Sequence, residues 1–515
     1  MKNKKFIILF LSILLLLALA ACNNDELPEP TDTELTDEPQ SESESITNTS
    51  PEGIVKHFDK NVKIESSTTA CKEALLLGVP SEKVISTFVE LGYEELKLST
   101  IEGAILKTRI FSNGKYAVTI YSTDNSTELR VTWEPIGNIG IEAMSPTADT
   151  GSGSVTVAQI GIERSSEADN PLIGMCYVIK LSNGKAIVID GGFNTDTCSD
   201  NLFNSLAAME IAKVDGKYAI EAWIITHDHG DHSGAYKKFA STYSSLVTVE
   251  NIISAFPGSR KLVTGGGSSF YAGAFNSAKL INPHGGLKYY FGNATISMLY
   301  TPDMLYDASE RMTYYNNTSL VFKLEAGGSA ITFFGDAGNS AARKIVNSYD
   351  AAVFKSDVFQ MTHHGLLTSA SDGLTWMYTK NLYEAIDAHT VLLPMQSRFD
   401  GGDGRNGRYT VLIEWSRADF QISYVTNKKD NHGLDTITQD YFNEFTAAVE
   451  NGTSERETLY GYDGINKITN ENGLVTYLGA SETKPMVTMI ELSDGNATPT
   501  LNQMLYDWLG AEDIQ

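Results

Sequence analysis

A short apolar run that ends in a cluster of ligand-type side chains limits most what this chain can fold into. Trp223-Ile224-Ile225 is followed by Thr226-His227-Asp228-His229-Gly230-Asp231-His232-Ser233-Gly234. Three of the nine histidines in 515 residues fall within one hexapeptide, which speaks against a polar loop that gathered them by chance. Imidazole nitrogens and carboxylate oxygens together suit Zn²⁺. His227 and His229 alternate in an extended turn and can face one ion. Asp231 and His232, on the next turn, can serve a second.

This arrangement resembles the signature of the metallo-β-lactamase superfamily, His-x-His-x-Asp-His after a strand. Other segments fall in the same order as in that family. Ala186-Ile187-Val188-Ile189-Asp190-Gly191-Gly192 is similar to its early strand ending in Asp-Gly, which implies that Asp190 supports the metal loop from behind. Ile331-Thr332-Phe333-Phe334-Gly335-Asp336-Ala337 resembles the strand whose terminal Asp bridges the two metals. Met361-Thr362-His363-His364-Gly365 resembles the late strand-end histidine. The spacing from Gly365 favours His364 as the ligand, with His363 touching substrate or taking the metal role instead. The resemblance implies an α/β fold, an αββα sandwich, over residues 153–430. Its metal set would be His227, His229, Asp231, His232, Asp336 and His364, holding one or two Zn²⁺, with Mn²⁺ or Fe²⁺ as alternatives.

One departure bears on the first metal. The family's third histidine, often in a Pro-Gly-His-Thr context, has no counterpart in Tyr300-Thr301-Pro302-Asp303. His284 is the only histidine between the His-rich loop and Asp336, and either it or Asp303 is a candidate extra ligand. An Asn of the 316–317 pair, or water, is the other option. Asn316-Asn317-Thr318-Ser319-Leu320-Val321, the His-His-Gly run and Arg405-Asn406-Gly407-Arg408-Tyr409 resemble one branch, that of competence-protein nuclease domains and surface phosphorylcholine esterases. That branch implies phosphodiester hydrolysis. Zn²⁺ lowers the pKa of bound water towards neutrality, so a metal-bound hydroxide can attack phosphorus. Asp231, Asp336 and His363 are then the candidate catalytic residues, and Asp228 or His363 the proton shuttle. A hydrolase of a lactone, thioester or β-lactam on the same fold is the alternative, as is a surface protein that binds metal without turnover.

The first 21 residues read as an address. Lys2, Lys4 and Lys5 precede an apolar run from Phe6 to Ala21, and Leu19-Ala20-Ala21-Cys22 resembles the bacterial lipoprotein signal. Lipid on Cys22 would tie the protein to the outer side of the membrane, at the bacterial cell surface. Residues 22–52 follow as an acidic tether, with nine acidic and no basic residues between Asn23 and Ser50. Residues 53–147 read as a small α+β module without metal or nucleophile clusters, and 431–515 as a C-terminal extension. A net charge of −25 argues against a general nucleic-acid-binding surface. A phosphodiester substrate must therefore be held by the metals and local side chains. Four cysteines exclude a disulfide scaffold, and Cys71, Cys176 and Cys198 read as free and buried, with a Cys176–Cys198 disulfide as the other option.

Overall fold

The computed structural model describes residues 46–66, 71–123, 127–160, 174–256, 275, 277–305, 315–360, 362–365, 381–382, 385–388 and 390–394. It also describes strand backbones at 410–415, 420–425, 458–461, 468–469, 475–476, 487–493 and 495–501. The signal segment, Cys22, most of the tether and the Arg405–Tyr409 loop lie outside the described residues. Residues Asn48–Gln515 form one compact unit. Among the described residues, no helix is long and apolar enough to cross a membrane.

Two large sheets are built from alternating patterns. In the strand Ala186–Asp190, Ile187 and Ile189 point into the core between the sheets, whereas Ala186 and Val188 point to the outer core beneath the helices. A strand whose side chains alternate in this way yet are apolar throughout must be covered on both faces. Each of these isoleucines contributes about 1.5–3 kcal/mol by leaving water. The first sheet runs Lys279–Ile281, Val247–Ile253, Lys217–Ile224, Ala186–Asp190, Cys176–Lys180, Val155–Ile160, Val487–Ser493, Asn496–Leu501, with Lys213–Val214 paired to Lys217–Ile224. The second runs Lys288–Phe291, Ala294–Tyr300, Val321–Ala326, Ser329–Phe333, Val358–Gln360, Thr390–Leu393, Thr458–Gly461. Ile296, Met298, Phe322, Leu324, Ile331 and Phe333 meet the first sheet's inner residues in one core.

Helices cover the outer faces. Asp196–Ala208 starts where the Thr195 hydroxyl caps Cys198 N (3.2 Å), and it buries Leu202 and Leu206 against the first sheet. Gly234–Tyr243 adds Tyr236 and Phe239 around Trp223. Asn339–Val346 buries Ala341 and Ile345 on the second sheet's side, near Phe359. The fold is the expected α/β sandwich of metallo-β-lactamase type.

The N-terminal segment forms a six-stranded antiparallel sheet, with helices Pro51–Phe58 and Ser81–Glu90. It is joined to the sandwich by backbone hydrogen bonds: Ile101 N to Gly286 O, Lys288 N to Ser99 O, Asn282 N to Asn138 O, and Leu106 N to Ser348 O. The helix Ser81–Glu90 stops at Glu90, because Gly92 (φ 86°) turns the chain into Tyr93 and the short strand Glu94–Glu95.

Candidate metal centre

The His-rich loop leaves the strand Lys217–Ile224 at Thr226, and Asp190 fixes its departure. Asp190 ends the neighbouring parallel strand with φ 53°, a left-handed turn that aims its carboxylate across the gap. Its Oδ1 accepts the Thr226 N–H, and its Oδ2 accepts the Thr226 hydroxyl, each at 2.7 Å. The same Oδ2 lies 2.7 Å from His232 Nδ1, fully buried. Nδ1 therefore carries the proton towards Asp190, and Nε2 points the other way, 3.1 Å from Asp336 Oδ1.

Asp336 reaches the same place from the second sheet. It follows Ser329–Phe333, and its backbone N–H is held by the Ser319 hydroxyl at 3.0 Å. Gly335 before it has φ 53°, and a Cβ there would lie 2.9 Å from Thr226 Cβ and 3.0 Å from Ser319 Cβ. Only a glycine lets the two strand ends approach this closely. Asp336 Oδ2 lies 3.7 Å from His227 Nε2, and His227 Nε2 is 3.0 Å from His229 Nδ1. Asp231 Oδ2 is 3.9 Å from His232 Nε2.

Two ligand groups result, His227–His229–Asp336 and Asp231–His232–Asp336, and in each the ligand atoms lie within 4.8 Å of one another. Tetrahedral ligands about 2.0–2.1 Å from one ion lie about 3.3 Å apart, so donors at these separations fit an ion between them. Both groups share Asp336. The donor set of imidazoles and carboxylates suits a divalent ion of the zinc class.

The electrostatics differ between the histidines. Burial, aided by His232, holds the His227 imidazole well below its usual pKa, so it is neutral. Burial also opposes charge on His232, but Asp336, Asp190 and Asp231 outweigh it and raise that imidazole well above its usual range. Burial pushes the Asp228 carboxyl up to about 6, against the pull of the Ser233 hydroxyl, which donates to it at 2.9 Å.

His363 stands beside the cluster. It adopts φ 49°, its N–H bonds to Gly335 O at 3.0 Å, and its Nε2 lies 3.8 Å from Asp336 Oδ2 and 3.1 Å from Asn316 Nδ2. His364 shares the turn Thr362–Gly365, and its side chain lies outside the described residues. His284 and Asp303 are in neither ligand group. Both ring nitrogens of His284 face carboxylates instead, Glu134 Oε1 at 2.7 Å and Asp303 Oδ2 at 3.0 Å. Asn317 accepts the Gly338 N–H at 2.9 Å through its side-chain oxygen. Thr226, Glu134 and Tyr121 are polar residues of this region that the motifs do not mark. Thr226 is signalled only by its place directly before His227.

Residues 169–267, which include Asp190 and the whole His-rich loop, match the family model of the metallo-beta-lactamase superfamily. The chain carries a metallo-beta-lactamase superfamily domain. No curated protein matches the sequence. Solved structures similar to parts of this chain include a CmlA beta-hydroxylase variant, at 11% identity and TM-score 0.28 over 48% of this chain and 46% of that one. Zn²⁺-bound PqqB from Methylobacterium extorquens overlaps at 11% identity and TM-score 0.26, over 40% and 72% of the two chains. Tm1679, a metal-dependent hydrolase of the beta-lactamase superfamily, overlaps at 10% identity and TM-score 0.27, over 47% and 90%. The chain thus spans about half the length of the first of these. Cys71, Cys176 and Cys198 are buried and form no disulfide among the described residues.

Proposed function

We propose that the protein is a zinc-dependent phosphodiesterase held at a bacterial cell surface by lipid on Cys22. The observation that carries the hydrolase reading is the pair of ligand groups meeting at Asp336. His227, His229 and Asp336 would hold one ion, and Asp231, His232 and Asp336 the other. Bound ions of this class supply Lewis acidity and make hydroxide available near neutral pH. The protein's own residues do the rest. Asp190 keeps the Nε2 lone pair of His232 pointed at the site, and Gly335 brings Asp336 up to the His-rich loop. The His363 imidazole, one-fifth exposed, accepts from Asn316 Nδ2 at Nε2 beside Asp336 and would take up a proton there once that bond opens. The phosphodiester preference follows from the resemblance of the Asn316–Val321 and His363-His364-Gly365 runs. The acidic body leaves an anionic substrate to be recognised at the metals.

The test is hydrolysis of bis(p-nitrophenyl) phosphate, a β-lactam and a lactone by the purified, zinc-loaded protein. Phosphodiester turnover that is lost in His227→Ala and Asp336→Ala is expected. Full activity in both variants would place the reaction elsewhere. Turnover of only the β-lactam or lactone would overturn the substrate class and leave the metal centre standing.

A further inference from the structure

The strand Glu128–Pro135 of the N-terminal sheet turns polar side chains inward, against the usual pattern. Arg130, Thr132 and Glu134 share one face of this strand and are all buried. Glu134 Oε1 accepts from His284 Nε2 at 2.7 Å and from Asn282 Nδ2 at 3.1 Å. On the far side of the ring, His284 Nδ1 lies 3.0 Å from Asp303 Oδ2, and that oxygen also accepts the Tyr121 hydroxyl at 2.8 Å. Thr301 donates to Asp303 Oδ1 at 2.5 Å, and the Thr108 hydroxyl donates to Gly285 O at 2.7 Å. His284 is 0% exposed, Glu134 2% and Tyr121 3%. Ring nitrogens that each face a carboxylate both donate, so His284 sits as an imidazolium between two anions. Such a bridge is expensive to bury and is intolerant of losing one partner.

Its place in the fold gives it a role. Asn282–His284 follows the strand Lys279–Ile281, whose parallel neighbours Val247–Ile253 and Lys217–Ile224 end at the same edge as the His-rich loop. Thr301–Asp303 follows Ala294–Tyr300, which ends where its antiparallel partner Val321–Ala326 begins. Leu320 N donates to Thr226 O at 3.0 Å, which ties that edge to the start of the His-rich loop. The Tyr300 hydroxyl donates to Asn317 O at 2.7 Å, and the adjoining Asn316 faces His363 at 3.1 Å. The charged bridge and the ligand groups therefore share one rim of the sandwich. The bridge lies where the N-terminal sheet meets that rim.

We propose that Glu134 and Tyr121 are positioning residues for the metal centre: the N-terminal sheet clamps the Asn282–His284 and Thr301–Asp303 turns, and through Tyr300 and Asn317 it holds the Asn316–His363 side of the site. Residues 53–147 are on this view a wall of the active-site rim. The inference rests on the metal reading for one of its two readouts only.

The experiment combines amide hydrogen exchange and zinc competition on the purified protein and its Glu134→Ala, Glu134→Gln and Tyr121→Phe variants. In Glu134→Ala, exchange should rise about tenfold in residues 282–287, 301–305 and 315–318, the scale of one lost charge-assisted hydrogen bond. Strands 186–190 and 217–224 should keep their protection, and zinc affinity should fall about tenfold. Glu134→Gln keeps an acceptor for Nε2 and should restore both readouts to within about threefold of wild type. Tyr121→Phe should loosen the same segments by a smaller factor, and it decides the matter if Glu134→Ala does not fold. A rise spread evenly over both sheets would overturn the proposal, as would a rise confined to 282–287 with 315–318 and zinc affinity unchanged. If the wild-type protein binds no zinc, the metal reading fails, and the exchange pattern alone decides the clamp.

Discussion

Asp190→Asn tests the logic of the metal loop without changing its shape. The carboxylate accepts the Thr226 N–H on Oδ1, and on Oδ2 it meets the Thr226 hydroxyl and His232 Nδ1. An amide has one oxygen, and the backbone N–H of Thr226 cannot reverse, so that oxygen must take the Oδ1 position. The amide NH₂ then faces Thr226 Oγ1, which can accept, and His232 Nδ1, which must accept. The imidazole proton moves to Nε2, the atom that lies 3.1 Å from Asp336 Oδ1 and completes the Asp231–His232–Asp336 group. A protonated Nε2 cannot ligate. Reversing the tautomer should weaken the second ion about 10–100-fold, or about 1.4–2.7 kcal/mol. The fold loses one charged acceptor and gains a neutral one, about 1–2 kcal/mol, and should survive. Zinc competition against a chromophoric chelator near neutral pH measures the loss, with the circular dichroism spectrum as the folding control. A folded Asp190→Asn protein with both zinc constants unchanged would refute the tautomer argument.

The shared carboxylate predicts that Asp336→Ala loses both ions, whereas His229→Ala loses or weakens only one; metal content by atomic emission separates the two outcomes. Gly335→Ala should cost about 2–4 kcal/mol, from a strained positive φ plus the contact with Thr226, and a denaturant titration should find it. His284 predicts a pH effect. Burial opposes its charge, but the bonds to Asp303 and Glu134 outweigh this and raise its pKa from 6.5 to about 10 in the folded state. Its contribution is then fully present below the unfolded value of 6.5 and is lost as pH rises through about 10. Wild type should lose more stability than His284→Gln between these limits in urea titrations, and equal losses would contradict the bridge.

What was legible in the sequence followed local period and spacing. Ala186–Asp190 is legible as a strand because its apolar run ends in Asp-Gly-Gly. The ligand groups were visible because His227 to His232 are contiguous and Asp336 ends an apolar strand. The strand Val247–Ile253 is not legible from its period, since Glu250 and Asn251 break its apolar run. Glu134 and His284 lie 150 positions apart, and nothing near either one announces the other. Their pairing is a product of tertiary packing, which also takes His284 out of both ligand groups.

The first sheet places a strand from near the end of the chain beside one from its first third. Val157 pairs with Ile490, so the edge of Val155–Ile160 has no partner on that side until 333 further residues have been made. At a synthesis rate of about 5–20 residues per second, that interval is roughly 17–67 s. An unpaired strand edge is a template for wrong partners, so folding of this body is a race between chain completion and misassociation.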